Sequence, residues 1–445
     1  MKTPIYDFVH SYAESGAARL HMPGHKGREY LGCEPFDITE ISGADVLYSP
    51  DGIIMESEKY ATELFGTAHT FYSTQGSTLA IQAMLTLAIN GRKSDTPPAI
   101  LAARNVHKAF VHASALLDIE VSWLYPDTSS HICSTAVSTT ALDSALTAGK
   151  YAAVYITSPD YLGNVADVKS LSEVCARHGV PLLVDNAHGA YLAFTEPSMH
   201  PIALGAAMCA DSAHKTLPTL TGGAYLHVSR SWPQYAEGAR SALSLFASTS
   251  PSYLTLASLD LTNRYLATDY KKSLRDRISE IESIKSESPV PTVSSEPLKM
   301  VFRCTDFGYT GNEFCDHLRK FDVECEFSDD TYAVLMITPS NTKCDLDKLR
   351  AALTAVTPRT PITDYAEPTL EPLDRAMSIR QAILSKHEIV PVDNAVGRIA
   401  ATPTVSCPPA IPIVISGERI TKNAVALFKR YGIENIEVVK NAKNA

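Results

Sequence analysis

Two short apolar runs in this chain each end in a residue that is expensive to bury. Val180 to Val184 runs into Asp185, and Ala206 to Ala210 runs into Asp-Ser-Ala-His-Lys-Thr, residues 211–216. A lysine at the end of a buried strand costs free energy unless its amine is neutralised, paired or used covalently. A carboxylate and an amine at two strand ends suggest a cofactor between them, with the acid facing a ring nitrogen and the amine facing an aldehyde.

The same rhythm extends along the first half of the chain. Strand-like runs at Ile100–Ala103, Ile119–Tyr125, Tyr151–Thr157, Val180–Val184 and Met208–Ser212, and one ending at Val228, alternate with helical patterns. The helices are Ser57–Phe65, Leu79–Ile89 up to Asn90-Gly91, a stretch reaching Leu117, and Ser170–His178. Ser170 and Glu173 have the spacing of a capping box, and Gly179 is the stop. Short apolar strands alternating with helices predict an α/β fold with a mainly parallel sheet covered on both faces. Functional groups then gather at the carboxyl ends of the strands. Gly76-Ser77-Thr78, His107, Asp160, Asp185 and Lys215 all stand at such positions.

The Gly76-Ser77-Thr78 turn joins a strand to a helix N-terminus. Free N–H groups and two hydroxyls there make an anion site, or an ordinary N-cap. His107 is open to two readings, a site residue or a capping or core histidine. GxxxxGK[ST] and GxGxxG are absent, which argues against a nucleotide loop. His21 and His25 are separated by Pro23-Gly24 and show no third ligand, and His107 and His112 share no helical face, so no metal site is expected.

Beyond residue 240 the pattern changes. Arg240–Tyr270 reads as helix broken at Ser248–Ser252, followed by a helix through Ile284. Ser286–Pro297 is rich in Ser, Pro and Glu and marks a boundary. Met300–Asp306, helix Gly311–Phe321, strands Val323–Phe327 and Tyr332–Thr338, and helix Asp345–Ala355 form a small α/β unit. Thr357–Pro372, with Pro358, Pro361, Pro368 and Pro372, reads as a linker. A helix near Arg375–Lys386, a proline-rich run at Pro408–Pro412 and a helix at Lys422–Tyr431 complete the chain. The expected domains are 1–288, 289–357 and 358–445.

The formal charge of −10, without a dense Lys/Arg tract, argues against nucleic acid as a partner. No apolar run is long enough to span a bilayer, so no membrane association is expected. The nine cysteines are scattered, with no CxxC, which points to a reducing compartment and the cytoplasm.

Seven ordered blocks resemble one family. They are Leu-His-Met-Pro-Gly-His-Lys-Gly at 20–27, Gln-Gly-Ser-Thr at 75–78, Arg-Asn-x-His-Lys at 104–108, Asp-x-Ala-His-Gly-Ala at 185–190, Ser-x-His-Lys-Thr-Leu-Pro-x-Leu-Thr at 212–221, Ser-Thr-Ser-Pro-Ser-Tyr at 248–253, and a tail of Ala-Val-Gly-Arg-Ile at 395–399 with Gly-Glu-Arg-Ile at 417–420. The chain resembles the short form of the Orn/Lys/Arg decarboxylases, pyridoxal-phosphate (PLP) enzymes of the aspartate-aminotransferase fold, fold type I. The resemblance implies a large PLP-binding domain, a small α/β domain and a C-terminal domain.

It also implies roles. Lys215 would bind PLP covalently, Asp185 would pair with the pyridinium nitrogen, and His107 would stack on the ring. Gly76, Ser77, Thr78, Ser212 and His214 would hold the phosphate, and Ala187 would pack beneath the ring. Lys215 or His107 would return the proton to Cα. The implied reaction is decarboxylation of a basic amino acid, arginine ahead of lysine or ornithine, by a homodimer or an assembly of dimers. Ser248–Tyr253 is the segment that would reach a neighbouring site. The alternatives are another fold-type-I reaction (lyase, aldolase or aminotransferase) and a catalytically silent regulatory subunit. Asn186 stands where an acid often follows the aspartate, and Ile41–Pro50 departs from the usual run. These departures bear on substrate choice.

Overall fold

The computed structural model describes residues 1–90, 97–126, 131–133, 136–363, 370–403 and 410–440. Gly91, Pro368, Cys407, Pro408 and Pro409 lie outside the described residues. The strands are β1 (His69–Ser73), β2 (Ala99–Ala103), β3 (Glu120–Leu124), β4 (Ala153–Thr157), β5 (Leu182–Asp185), β6 (Met208–Asp211), β7 (Ala224–Val228), β8 (Lys299–Arg303), β9 (Phe327–Ser328), β10 (Tyr332–Met336), β11 (His387–Pro391) and β12 (Asn435–Val439). The chain divides into two compact units. One comprises Met1–Lys93, Ala152–Tyr155 and Asp167–Leu274, and the other Ser94–Tyr151, Ile156–Ala166 and Arg275–Ala445.

In the first unit the strands run in the order β1-β7-β6-β5-β4. β5 and β6 are parallel, with Asp185 opposite Ala210. β7 departs from the parallel expectation and is antiparallel to both β1 and β6. All residues of β5, β6 and β7 are buried, which is why these segments read as unbroken apolar runs without alternation. Helix Gly76–Ile89 packs on β6 and β7 and on helix Ala239–Ser244. Its apolar residues face almost every direction, as a helix enclosed by its own unit requires.

Helix Pro4–Glu14 was not evident in the sequence. Its first-turn N–H groups are capped from another helix: Ile5 N and Tyr6 N donate to Asp260 Oδ2 at 2.9 and 3.1 Å. Asp260 Oδ1 accepts from Ser57 Oγ, and Asn263 Nδ2 donates to Tyr72 OH at 2.6 Å, so the anchor is a buried polar network. The Ser170/Glu173 capping box is corrected. The helix spans Val168–Arg177, and its cap is Asp167, whose carboxylate accepts from Ser170 N at 3.1 Å. Gly179, at φ +66°, ends it as expected.

In the second unit β2 and β3 pair in parallel, β8-β10-β9 form an antiparallel sheet, and β11 and β12 form a ribbon. The expected strand Val323–Phe327 shrinks to Phe327–Ser328. Asp322 takes φ +56° and the Val323 N–H closes the preceding helix onto Leu318 O, so this stretch is used as a helix cap. The helix expected near 375–386 is limited to Ile379–Leu384 by a Ser378/Gln381 capping box. Arg104 is fully buried and holds the C-terminal segment, donating to Pro412 O at 2.8 Å and Ile413 O at 3.0 Å beside Glu418. Among the described residues no helix is long and apolar enough to cross a membrane.

Candidate active site

The first unit brings three predicted segments together. Because β5 and β6 are parallel neighbours, Asp185 and the segment Ser212–Lys215 leave the sheet at the same edge. Asp185 is 2% exposed; its Oδ1 accepts from Ala187 N at 3.2 Å and its Oδ2 from Tyr155 OH at 3.3 Å. Burial raises its carboxyl above the usual range, the positive charge of Lys215 opposes that rise, and the charge of Asp211 adds to it. A buried carboxylate of this kind suits a cationic partner.

Lys215 sits in the short helix Ala213–Thr216 directly after β6. Its Nζ lies 2.9 Å from His188 Nε2, on the turn that starts at Asp185. Ser212 Oγ donates to Ser77 Oγ at 2.8 Å, joining the β6 end to the start of helix Gly76–Ile89. That helix has four N-terminal N–H groups without helical acceptors. Gln75 N is taken by Ser73 Oγ and Gly76 N by Gly222 O, which among the described residues leaves Ser77 N and Thr78 N for an external acceptor. Gly76 has φ +70°, which disfavours any other residue, and the space a Cβ would enter is open. His214 Nδ1 donates to Gly223 O at 2.9 Å, so the 222–223 loop ties both segments together. Burial lowers the His214 pKa, the Gly223 bond opposes this, and Lys215 adds to the lowering.

The other predicted residues stand on other segments of the chain. His107 belongs to the second unit, where its Nδ1 caps helix Lys108–Leu116 by accepting from Ala109 N at 3.1 Å. Asp160, also in that unit, is a buried turn residue. Its carboxylate takes Asn164 N and Nδ2 at 2.9 and 2.7 Å, and burial pushes its pKa up to about 6. His21 bonds Tyr12 OH, and His25 bonds Asp37. In Ser248–Tyr253, Ser248–Ser250 are exposed, while Ser252 caps helix Tyr253–Ala267 and Tyr253 is buried on Asp45 O.

The signature of the Orn/Lys/Arg decarboxylase major domain matches residues 3–290, and that of the family's C-terminal domain matches residues 363–433. The chain belongs to the Orn/Lys/Arg decarboxylase family. Family membership makes it an amino acid decarboxylase. The arginine decarboxylase of Bacillus subtilis is 32% identical, across 96% of this chain and 93% of its own. That of Halalkalibacterium halodurans is 31% identical over the same shares. The lysine decarboxylase of Francisella novicida superposes with a TM-score of 0.78 over 98% of this chain and 81% of that one; at 15% identity this likeness bears on the fold. Serine palmitoyltransferase of Sphingomonas wittichii shares the fold more loosely, at a TM-score of 0.55.

Sequence reasoning gave no role to Tyr155 or His188, although both touch the central pair. His188 lay inside the 185–190 block, and that was the available signal. Tyr155 sits within a strand, and nothing in its local sequence points at Asp185.

Proposed function

We propose that this chain decarboxylates a basic amino acid, arginine ahead of lysine or ornithine, with PLP as its cofactor. The observation that carries the reading is Asp185 and Lys215 at the ends of two adjacent parallel strands, with the Ser77/Ser212 hydroxyl pair beside them. The residues present fit PLP. A buried carboxylate suits a protonated ring nitrogen, a lysine suits an aldehyde, and two N–H groups, two hydroxyls and an imidazole suit a phosphate.

PLP, when bound, supplies the aldehyde that takes up the substrate amine and the electron sink that accepts the pair left at Cα as CO₂ departs. Lys215 would hold the cofactor through its side-chain amine. Asp185, oriented by Ala187 N and Tyr155 OH, keeps a proton on the ring nitrogen. Ser77 and Thr78 N–H, the Ser77 and Ser212 hydroxyls and His214 bind the phosphate, over the open face of Gly76. Ala187 would pack beneath the ring, and His107 would take the ring-face role implied by the 104–108 block. Lys215, in contact with His188, returns the proton to Cα, with His107 as the other candidate donor.

The arginine preference rests on the likeness to the two arginine decarboxylases. The family-signature spans support the domain reading of 1–288, 289–357 and 358–445. Leu20 and Leu31, 93% and 89% exposed, with Met22 and Tyr30 nearby, are apolar surface that a second copy would cover, in keeping with a homodimer or an assembly of dimers. The free thiols of the described cysteines suit the cytoplasm.

The test is a panel of arginine, lysine and ornithine with the product amines identified. CO₂ and the amine are expected without keto acid, and borohydride is expected to fix PLP on Lys215. Keto acid formation, or wild-type decarboxylation by Lys215→Ala, would overturn the reading.

A further inference from the structure

Behind Asp185 and Lys215 lies a polar cluster that the proposed chemistry leaves unused. Asp211, the last residue of β6, is wholly buried. Its Oδ2 faces His200 Nε2 at 3.0 Å and His227 Nε2 at 3.2 Å; its Oδ1 faces Asn186 Nδ2 at 2.7 Å and Cys209 Sγ at 3.6 Å. All of these residues are buried.

By residue type, His200, Cys209, Asp211 and His227 could ligate a metal. The hydrogen bonding argues for a different use. His200 Nδ1 accepts from Ile202 N, which puts the ring proton of neutral His200 on Nε2, aimed at Asp211. His227 Nδ1 faces Thr70 Oγ1 at 2.9 Å, a hydroxyl able to donate, which places its proton on Nε2 as well. Both imidazoles then offer N–H groups to the carboxylate rather than lone pairs to a cation. An ionised carboxylate accepts only, and here it is ringed by donors.

The donor that matters is Asn186. It directly follows Asp185, its N–H bonds Ala210 O at 2.9 Å, and its C=O accepts from Gly189 N at 2.8 Å. Since the Asp211 carboxylate cannot donate, it fixes which way the Asn186 amide points. One turn, 185–189, thus carries Asp185, Ala187 and His188, and one bond grips it from the residue preceding Ser212.

We propose that Asp211 is a positioning residue, an ionised carboxylate that acts through Asn186 to hold the Asp185–Gly189 turn in register with Ser212–Lys215, so that the two halves of the cofactor site are set before PLP arrives. This rests on the PLP reading above.

The amide–carboxylate pair can be transposed. Asn186→Asp sets two carboxylates against each other. Asp211→Asn removes the charge; the Asn186 amide can turn its oxygen, now without a partner, toward the new amide, but only by stranding its own NH₂ group. The double variant Asn186→Asp/Asp211→Asn restores the 186–211 bond and both imidazole bonds, giving up only the Cys209 contact, because the amide oxygen at 211 accepts from both imidazoles and its NH₂ donates to the carboxylate at 186.

The experiment titrates PLP-stripped protein with PLP, read by absorbance, alongside thermal unfolding of the apoprotein. Asn186→Asp is expected to weaken PLP binding by about tenfold or more, Asp211→Asn by a smaller factor, and the double variant to return to within about threefold of wild type. Wild-type affinity in the single variants, with only the unfolding temperature lowered, would show a purely structural role and overturn the proposal. So would a double variant as weak as the worse single. Should Asn186→Asp not fold, Asn186→Ala, which only deletes the amide, is expected to bind PLP several-fold more weakly, and wild-type affinity there overturns the proposal. Wild-type protein that takes up no PLP, with none fixed by borohydride, refutes the cofactor reading itself, a result distinct from any of these.

Discussion

His188 Nε2 lies 2.9 Å from Lys215 Nζ, across the gap between the β5 turn and the helix that follows β6. The imidazole is buried, so this contact is a water-poor route by which a proton on the lysine amine can be stabilised or passed on. His188→Ala is expected to lower kcat for the decarboxylated amino acid by about a hundredfold, the lower end for general acid–base assistance, while PLP remains on Lys215. His188→Gln, which keeps a hydrogen-bonding group, should fall between the two. Steady-state rates together with borohydride trapping check this, and an unchanged kcat in the alanine variant would remove His188 from the mechanism.

In the proposed chemistry, Asp185 is the group on which electron withdrawal through the ring would depend. Asp185→Asn keeps the shape and the Ala187 contact but cannot balance a cationic ring nitrogen. Decarboxylation is expected to fall by about two orders of magnitude or more, the range seen when a focused electrostatic contact is lost. Tyr155→Phe, which removes one 3.3 Å bond to the same carboxylate, should cost far less, of the order of a few-fold. If the two variants lost similar amounts, the charge on Asp185 would not be the deciding feature.

The residues that could be read from sequence are those whose signal is local. Lys215 and Asp185 each end an apolar run, so burial and chemistry are written side by side. Gly76-Ser77-Thr78 announces a helix N-terminus in the same way. Asn186 and Asp211 are 25 positions apart and become partners only through the parallel pairing of β5 and β6, which no local pattern specifies. The antiparallel direction of β7 was hidden for a related reason. Ala224–Val228 is buried on both faces, and full burial erases the alternation that sets antiparallel strands apart. Helix Pro4–Glu14 carries little local signal because its N–H groups are capped by Asp260, some 250 residues away, while the nearby Thr3 makes no capping bond.

In the proposed site, His214 would link cofactor affinity to pH. Its Nδ1 proton is committed to Gly223 O, so Nε2 of the neutral ring is an acceptor and must gain a proton to donate to a phosphate. In the free protein, burial, helped by the Lys215 charge, holds its pKa below the ordinary histidine value. A bound dianionic phosphate raises it, so binding takes up a proton and strengthens as pH falls. Comparing PLP with pyridoxal, which has the same aldehyde and no phosphate, cancels the pH dependence of Lys215. The affinity ratio of PLP to pyridoxal is expected to grow from pH 8 to pH 6 and to flatten in His214→Ala. A ratio with the same slope in both proteins would assign the phosphate charge to other donors.

Asp260 makes a matching prediction for stability. It caps helix Pro4–Glu14, and burial pushes its carboxyl up to about 6 even though Ser57, Tyr6 and Ile5 donate to it. A folded-state value above that of the unfolded chain means that the folded protein favours the protonated form. That contribution is fully present below about pH 4 and is lost as pH rises through about 6. A shift of this size corresponds to about 3 kcal/mol across the interval. Asp260→Asn does not titrate and, with its amide oxygen in the Oδ2 position, retains the acceptor for both helix N–H groups. The stability of wild type relative to Asp260→Asn, from urea unfolding followed between pH 4 and pH 7.5, should therefore be greatest at the acid end and decline toward neutrality. A difference that stayed constant, or that favoured wild type more at pH 7.5, would mean that the carboxylate is held ionised in the folded protein and that its bonds to Ile5, Tyr6 and Ser57 outweigh its burial.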